Sequence, residues 1–328
     1  MQKIKIGIIG GAGYTGGELV RILVNHPNAS IDFIQSNSNA GNNVGKVHED
    51  LYGETNLEFS AGHHFDVDVI FFCAGHGEAK KFVAQNNIPS SVKLIDIGND
   101  FRLQKDSVLN GRQFVYGLPE LNKAAIKKAN SIANPGCFAT AIQLGLLPLA
   151  ELGLLSKVYT TGITGSTGAG QALSATGHFS WRANNIQAYK TLTHQHLGEI
   201  GQSLRQLQPS LNAESVVNFI PWRGDFARGI FVSSQLGSDI LIEELYDIFE
   251  TFYNDHPSVT VSKDPISLKQ VVNTNNAIIQ LEKNGNDLVI HSAIDNLLKG
   301  ASGQAVQNMN LMFGLEERTG LKLKGSAF

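Results

Sequence analysis

The chain has 328 residues, 42% of them apolar and 17% charged, with a formal net charge of -3. That length allows two domains or one large one with ample material for cores, and the weak negative charge argues against a general nucleic-acid binder. Two cysteines, Cys73 and Cys137, make no disulfide framework, and no run approaches the ~18 apolar residues of a membrane helix.

The opening MQKIKIGIIGGAGYTGGELV has a short apolar run, broken by glycines and followed by no cleavage site, so it reads as a strand rather than a signal peptide. A cytoplasmic protein is the expectation. KIKIGIIG is β-branched and apolar, as in a strand buried on both faces. Gly10, Gly13 and Gly16 follow three apart, and Leu19, Ile22 and Leu23 then recur at helical spacing until NHPN breaks the helix. Glycines between a strand and a helix let backbone N–H groups approach a pyrophosphate, which the helix N-terminus favours. With Tyr14 and Thr15 at the helix start, these glycines form a candidate dinucleotide site. IDFIQS is the second strand of this βαβ unit, and its end decides the coenzyme. An NAD site offers an acid there; here Gln35, Ser36, Asn37 and Ser38 are neutral and Asp32 comes too early. The expectation is NADP, bound in part by Ser36 and Ser38.

VDVIFFCAG and VKLIDIG are further apolar strands, with GEAKKFVAQNN helical between them. The alternation implies a parallel sheet wound on both faces. Cys73 reads as a small hydrophobe at a strand end, while Gly75, His76 and Gly77 sit in the loop where doubly wound sheets bind ligands. Next, SIANPGCFATAIQLGLLPL passes from strand through a Pro-Gly turn into a helix that starts near Cys137. A helix N-terminus stabilises a thiolate and a neighbouring oxyanion, which suits attack on a carbonyl carbon. Free cysteine is also among the most buried residue types, so nucleophile and core filler weigh equally on the residues alone.

After about residue 155 the texture becomes strand-rich: SKVYTTGITGS, ESVVNFIPW and RGIFVSSQLG, then NAIIQLEKNGNDLVIHSAI with Asn-Gly between alternating runs, a hairpin signal. Leu241, Leu245, Ile248, Phe249 and Phe252 mark a helix stripe. Ala301, Ala305, Met309, Met312 and Phe313 mark another, expected to return to the first domain. The predicted architecture is α/β: a Rossmann-like dinucleotide-binding domain, 1–133 plus 297–328, and an α+β domain with a mostly antiparallel sheet, 134–296.

The segment Asn134-Pro135-Gly136-Cys137-Phe138 with Thr140 resembles the active-site signature of the N-acetyl-γ-glutamyl-phosphate reductases, arginine-pathway relatives of aspartate-semialdehyde dehydrogenase. The likeness extends through GAGYTGGELVRIL, DIGNDFRL, VYGLPEL, TGSTGAG and IDNLLKGASGQAVQNMN, essentially the whole chain. It implies an NADPH-dependent reductive dephosphorylation in which Cys137 is the nucleophile and a thioester the intermediate, with Asn134 on the substrate. In AYKTLTHQHLGEI the likeness makes His194 the acid/base partner, with His196 and Glu199 orienting substrate or catalytic groups. On the residues alone, the two histidines also read as surface residues, and no further ligand completes a metal set.

The family commonly has Arg between the histidines, Thr-Pro after them, and His where Trp222 stands; here Gln195 and Leu197-Gly198 replace them. Arg228 and, more weakly, Lys190 are candidate anion ligands for substrate. Ser166 and Gly168 in TGSTGAG, and by resemblance Asn308, are expected beside the nicotinamide. N-acetyl is the default acyl group, with succinyl, or an aspartyl or aminoadipyl phosphate, as alternatives. A dinucleotide-sensing binding protein is the rival of another class, and a cysteine hydrolase leaves the glycine loop unexplained. The expected partners are a small-molecule acyl phosphate, inorganic phosphate and, by family habit, further copies of the chain as a dimer or tetramer.

Overall fold

The computed structural model describes residues 3–211 and 216–326. It divides into two compact units, Met1–Pro135 with Ala301–Lys322, and Gly136–Gly300 with Leu323–Phe328. The chain therefore crosses from one unit to the other one residue before Cys137.

The first unit runs β1 (Ile4–Ile9), α1 (Tyr14–Leu23), β2 (Ala29–Gln35), β3 (Phe59–Ser60), β4 (Val69–Phe72), α2 (Glu78–Gln85), β5 (Lys93–Asp96), a small hairpin of β6 (Val108–Leu109) and β7 (Arg112–Gln113), β8 (Val115–Tyr116), α3 (Pro119–Ile126) and β9 (Ser131–Ala133). Seven strands form one sheet in the order β3-β2-β1-β4-β5-β9-β8, and every pairing is parallel. All-parallel strands are covered on both faces, which is why β4 reads as an unbroken apolar run with every residue buried. The last helix of the chain, Ser302–Met312, packs on α1 and α3. It is buried on every side, not along one stripe as its spacing predicts, so its amides and serines must find partners within the protein.

The second unit runs α4 (Cys137–Glu151), β10 (Val158–Thr164), α5 (Phe179–Arg182), β11 (Gln187–Ala188), α6 (Leu197–Leu207), β12 (Val217–Arg223), β13 (Ile230–Gly237), α7 (Ile242–Tyr253), β14 (Val259–Ser262), β15 (Ala277–Asn284) and β16 (Asp287–Ile294). Its seven strands follow the order β11-β12-β10-β13-β16-β15-β14. Two of the six pairings, β10 with β12 and β14 with β15, are parallel. The start of the predicted strand ESVVNFIPW, Glu214 and Ser215, lies outside the described residues.

Two local details differ from the sequence pattern. In the hairpin, Asn284 pairs with Asp287, so the loop is Gly285-Asn286, with φ 56° at Gly285. Glycine therefore takes the first loop position, as a II′ turn requires, rather than the second of an Asn-Gly turn. In α7 the buried stripe is Leu245, Tyr246, Phe249 and Tyr253. Leu241 caps the helix and is exposed.

Candidate active site

In the first unit, a crevice of about 520 Å³ lies beside the glycine loop, a size suited to a small ligand. Gly10, Gly13, Ser36 and Asn37 line it, together with residues of α2. Gly10 has φ 78°, and a Cβ there would lie 2.7 Å from the Ala74 nitrogen; at Gly16 it would lie 2.3 Å from the Gly11 carbonyl. These two glycines are required by the fold itself. Gly13 is different: a Cβ there would meet nothing within 4 Å, so its bareness leaves room in the crevice at the N-cap of α1, where an anion is favoured. His48, unnoticed in the sequence, donates from Nε2 to the Gly11 carbonyl at 2.8 Å and braces the loop. These residues fit a dinucleotide pyrophosphate.

The other expected cofactor residues are placed less directly. Ser38 lies 3.5 Å from Ser36, oxygen to oxygen, Tyr14 is exposed, and the Thr15 carbonyl accepts from Ser302. Gly75 and His76 are exposed in the loop after β4. Asn308 is wholly buried. Its Nδ2 donates to the Gly117 carbonyl and to Asn134 Oδ1, while its Oδ1 has no partner, an acceptor that a carboxamide would satisfy. Ser166 and Gly168 belong to the second unit, where Ser166 N–H donates to the Phe226 carbonyl and Gly168 lies against Thr164.

Asn134 needs correction as a substrate ligand. It is fully buried, its Nδ2 donates to the Ala301 carbonyl and its Oδ1 accepts from Asn308. Its carbonyl accepts from Arg102 and its N–H donates to the Asp96 carbonyl. Every polar atom of the residue is held by the fold, so it secures the end of β9. Asp96, missed in the sequence, is buried at the end of β5. Burial and the neighbouring Asp100 push its carboxyl up to about 7, against the pull of Arg102. Burial pushes the Cys73 thiol up to about 12, consistent with an inert filler.

The second unit gathers the chemistry. Cys137 is the first residue of α4, half-buried and outside any disulfide. The first bond of the helix, Thr140 N–H to the Gly136 carbonyl, leaves the first-turn amides as the positive end of the dipole. The Thr140 hydroxyl donates to the same carbonyl at 3.1 Å. Gly300 lies against the cysteine, for a Cβ there would stand 2.8 Å from that of Cys137. A carboxylate on another helix fixes the cap: Glu199 Oε2 accepts from Gly136 N–H at 3.1 Å. Its other oxygen lies 3.8 Å from His196 Nε2.

His194 sits in a box of rings made by Phe138, Tyr189, His196 and Phe219, with centroids 4.6–5.8 Å away. Burial, then the Lys190 ammonium, lowers its pKa to about 4. Its Nδ1 accepts from His196 N–H at 3.3 Å, so the neutral ring carries its proton on Nε2. Burial and the negative charge of Cys137 raise the Tyr189 hydroxyl to about 12, which keeps the phenol a donor. Tyr189 was not singled out in the sequence; only the proximity of β11 to β12 reveals it.

The cations are arranged differently from the sequence expectation. Arg228 closes a two-point fork on buried Asp295, at 3.0 and 3.1 Å, and Asp295 also accepts from Asn273, Leu297 and Leu298 N–H groups. That pairing makes Arg228 a clamp between β13 and the loop after β16. Alternation along β12 puts Phe219, Pro221 and Arg223 on one face, and the Arg223 guanidinium lies over Tyr189, 4.7 Å from the ring centre. Trp222 points to the other face, away from the His194 box. Lys190, with φ 46°, donates to Gln195 at 2.6 Å. No group of three or more metal-ligating side chains exists among the described residues.

Comparison with known proteins places the whole chain in one family. Family models for the semialdehyde dehydrogenase NAD binding domain and dimerisation domain match residues 5–129 and 137–296. N-acetyl-gamma-glutamyl-phosphate reductases from Flavobacterium johnsoniae and Bacteroides thetaiotaomicron are 57% and 56% identical, over 99% of this chain and 100% of theirs. The chain belongs to the N-acetyl-gamma-glutamyl-phosphate reductase family. Solved aspartate semialdehyde dehydrogenase II from Vibrio cholerae, in complex with ASA, shares the fold at TM-score 0.75 and 16% identity, covering 96% of this chain and 99% of that one. Like others of the N-acetyl-gamma-glutamyl-phosphate reductase family, the chain is an oxidoreductase that uses a nicotinamide dinucleotide. Among the described residues, no helix is long and apolar enough to cross a membrane.

Proposed function

We propose that this enzyme reduces N-acetyl-γ-glutamyl phosphate to N-acetylglutamate 5-semialdehyde with NADPH and releases phosphate. The observation that carries the reading is the hydrogen bond from Gly136 N–H to Glu199. It holds the cap of the helix that begins with Cys137, and ties that cap to the segment carrying His194 and His196.

The Cys137 sulfur attacks the acyl carbon; the bond from that carbon to the phosphate oxygen breaks, and phosphate leaves with the electron pair. A thioester on Sγ remains. The positive end of α4 favours the oxyanion that forms on the way, and Tyr189 and Arg223 put a donor and a cation in the same cluster. When bound, NADPH supplies the hydride that reduces the thioester carbon. His194 donates from Nε2 to the oxygen of the adduct. On collapse the C–S bond breaks with its electron pair returning to Sγ as thiolate, the proton on the adduct oxygen goes back to His194 Nε2, and the aldehyde is freed. Arg223 and Lys190 are the cations that support phosphate binding. The neutral Gln35, Ser36 and Asn37 beside the crevice favour NADPH, since no carboxylate stands there to repel a 2′-phosphate.

The test is reverse-direction turnover with NADP and phosphate. N-acetylglutamate semialdehyde should give the highest kcat/KM, and turnover should vanish without phosphate or arsenate. A clear preference for N-succinylglutamate or aspartate semialdehyde would replace the substrate, and phosphate-independent oxidation would overturn the acyl-phosphate chemistry.

A second copy of the chain is the natural partner. Helices α4, α6 and α7 pack on one face of the mixed sheet. The opposite face carries Tyr159, Ile163, Ile220, Trp222, Phe231 and Ile278, apolar side chains left half-buried or exposed. Such a patch calls for a partner, and the family model names this region a dimerisation domain. Sedimentation should give at least twice the 35.4 kDa chain mass, and Phe231→Glu should shift it toward one; a single-chain mass for the unaltered protein rejects self-association.

A further inference from the structure

The crevice beside the glycine loop is walled by α2. Glu78, Lys81, Phe82 and Gln85 line it, at the i, i+3, i+4, i+7 spacing of one helix face. The other face of α2 buries Ala79 and Val83 in the core. Across from this wall, the end of β2 contributes Gln35, Ser36 and Asn37, all without charge. A phosphate monoester brings a charge of about −1.5 to −2 at neutral pH and is ordinarily met, in NADP sites of this type, by an arginine near the end of β2. This chain has none there.

Among the described residues that line the crevice, Lys81 is the one lysine or arginine. Lys80, its neighbour, is engaged with Asp106 at 3.3 Å, whereas Lys81 is exposed and makes no ion pair among the described residues. His63, also on the crevice, is held by Asn86 Oδ1 at 3.3 Å and packs on Phe82 with ring centres 4.7 Å apart. These two rings give the crevice an aromatic wall for a base. Glu78, its one carboxylate, stands one turn nearer the start of α2.

We propose that Lys81 is the specificity-determining residue for the coenzyme: its ammonium, projected from α2, takes the 2′-phosphate in place of an arginine after the second strand. The assignment rests on NADPH being the coenzyme, and the experiment separates the two. The probes are 2′,5′-ADP and 5′-AMP, titrated calorimetrically into the full chain and into Lys81→Ala and Lys81→Arg. The unaltered protein should bind 2′,5′-ADP more tightly. Lys81→Ala should weaken that ligand by about tenfold, the lower end for a hydrogen bond between charged groups, and leave 5′-AMP unchanged. Lys81→Arg should restore the difference, and added salt should erode it in the unaltered protein but not in Lys81→Ala. Equal binding of the two probes by the unaltered protein would remove both the NADPH reading and the assignment. A preference that survives Lys81→Ala, or a loss shared equally by both probes, would leave NADPH in place and overturn Lys81 alone.

Discussion

Cys137→Ser is expected to lower turnover of the acyl phosphate by roughly 10⁴-fold or more, with NADPH binding unchanged. The substitution is nearly isosteric, and Cys137 is half-buried at a helix start, so the first turn and its bond to Glu199 should survive. What changes is the nucleophile. A serine hydroxyl is hardly ionised near neutral pH, and the neutral His194 has its Nδ1 lone pair already engaged by a backbone N–H. An oxygen ester, were it formed, would also be a poorer hydride acceptor than a thioester. The measurement pairs NADPH consumption with a fluorescence titration of the coenzyme. Turnover within tenfold of the unaltered enzyme would exclude covalent catalysis through this residue, while loss of coenzyme binding would mean that the variant had damaged more than the nucleophile.

Glu199 ties the start of the Cys137 helix to α6. An N-cap glycine offers no side-chain oxygen to its helix, and Gly136 makes no side-chain cap. The carboxylate of Glu199, reaching from α6 and itself 2% exposed, instead accepts from the N–H of Gly136 itself, the donor that the acidic arm of a capping box satisfies. A buried carboxylate without donors is costly, so its position depends on Gly136 and on the histidine segment together. The same group that orders the cysteine helix thereby fixes the start of α6, where His196 is the N-cap residue.

Most of the fold was legible because its signals are local. The β1–glycine–α1 order, the neutral end of β2, and the strand-to-helix passage at Cys137 each depend on residues within a few positions of one another. The hairpin was legible too, although its turn lies one residue later. The candidate site was legible only in part. His194, His196 and Glu199 share one segment, so their closeness follows from the chain. Tyr189 and Arg223 meet through pairing of β11 with β12, across more than thirty positions, and no local pattern foretells it. Arg228 looked like an anion ligand because its partner, Asp295, is 67 residues away. Asn134 looked like a ligand for a similar reason, since Asn308 and Ala301 occupy its amide from the far end of the chain.

His194→Ala is expected to reduce kcat by roughly 10²–10⁴-fold, the range of a positioned proton donor or acceptor, and His196→Ala by on the order of tenfold, as befits a residue that works through Glu199. Equal small losses in both would reject the acid/base role. The pH dependence follows from the ring box. Exclusion of water holds the His194 pKa at about 4, below its ordinary 6.5, so the imidazole is neutral throughout the physiological range and its titration puts no acid limb on kcat/KM near 6.5. Stability carries the same sign. Between pH 6.5 and 4 the unfolded chain binds more protons at this position than the folded one, so His194 favours the folded state above that window and this advantage is lost as pH falls through it. His194→Phe, which cannot titrate, should unfold at a midpoint less sensitive to acid across the same window. An acid limb near 6.5, together with an unaltered stability profile in His194→Phe, would show that the ring is open to water and exchanges its proton freely. The box formed by Phe138, Tyr189, His196 and Phe219 would then have no part in tuning it.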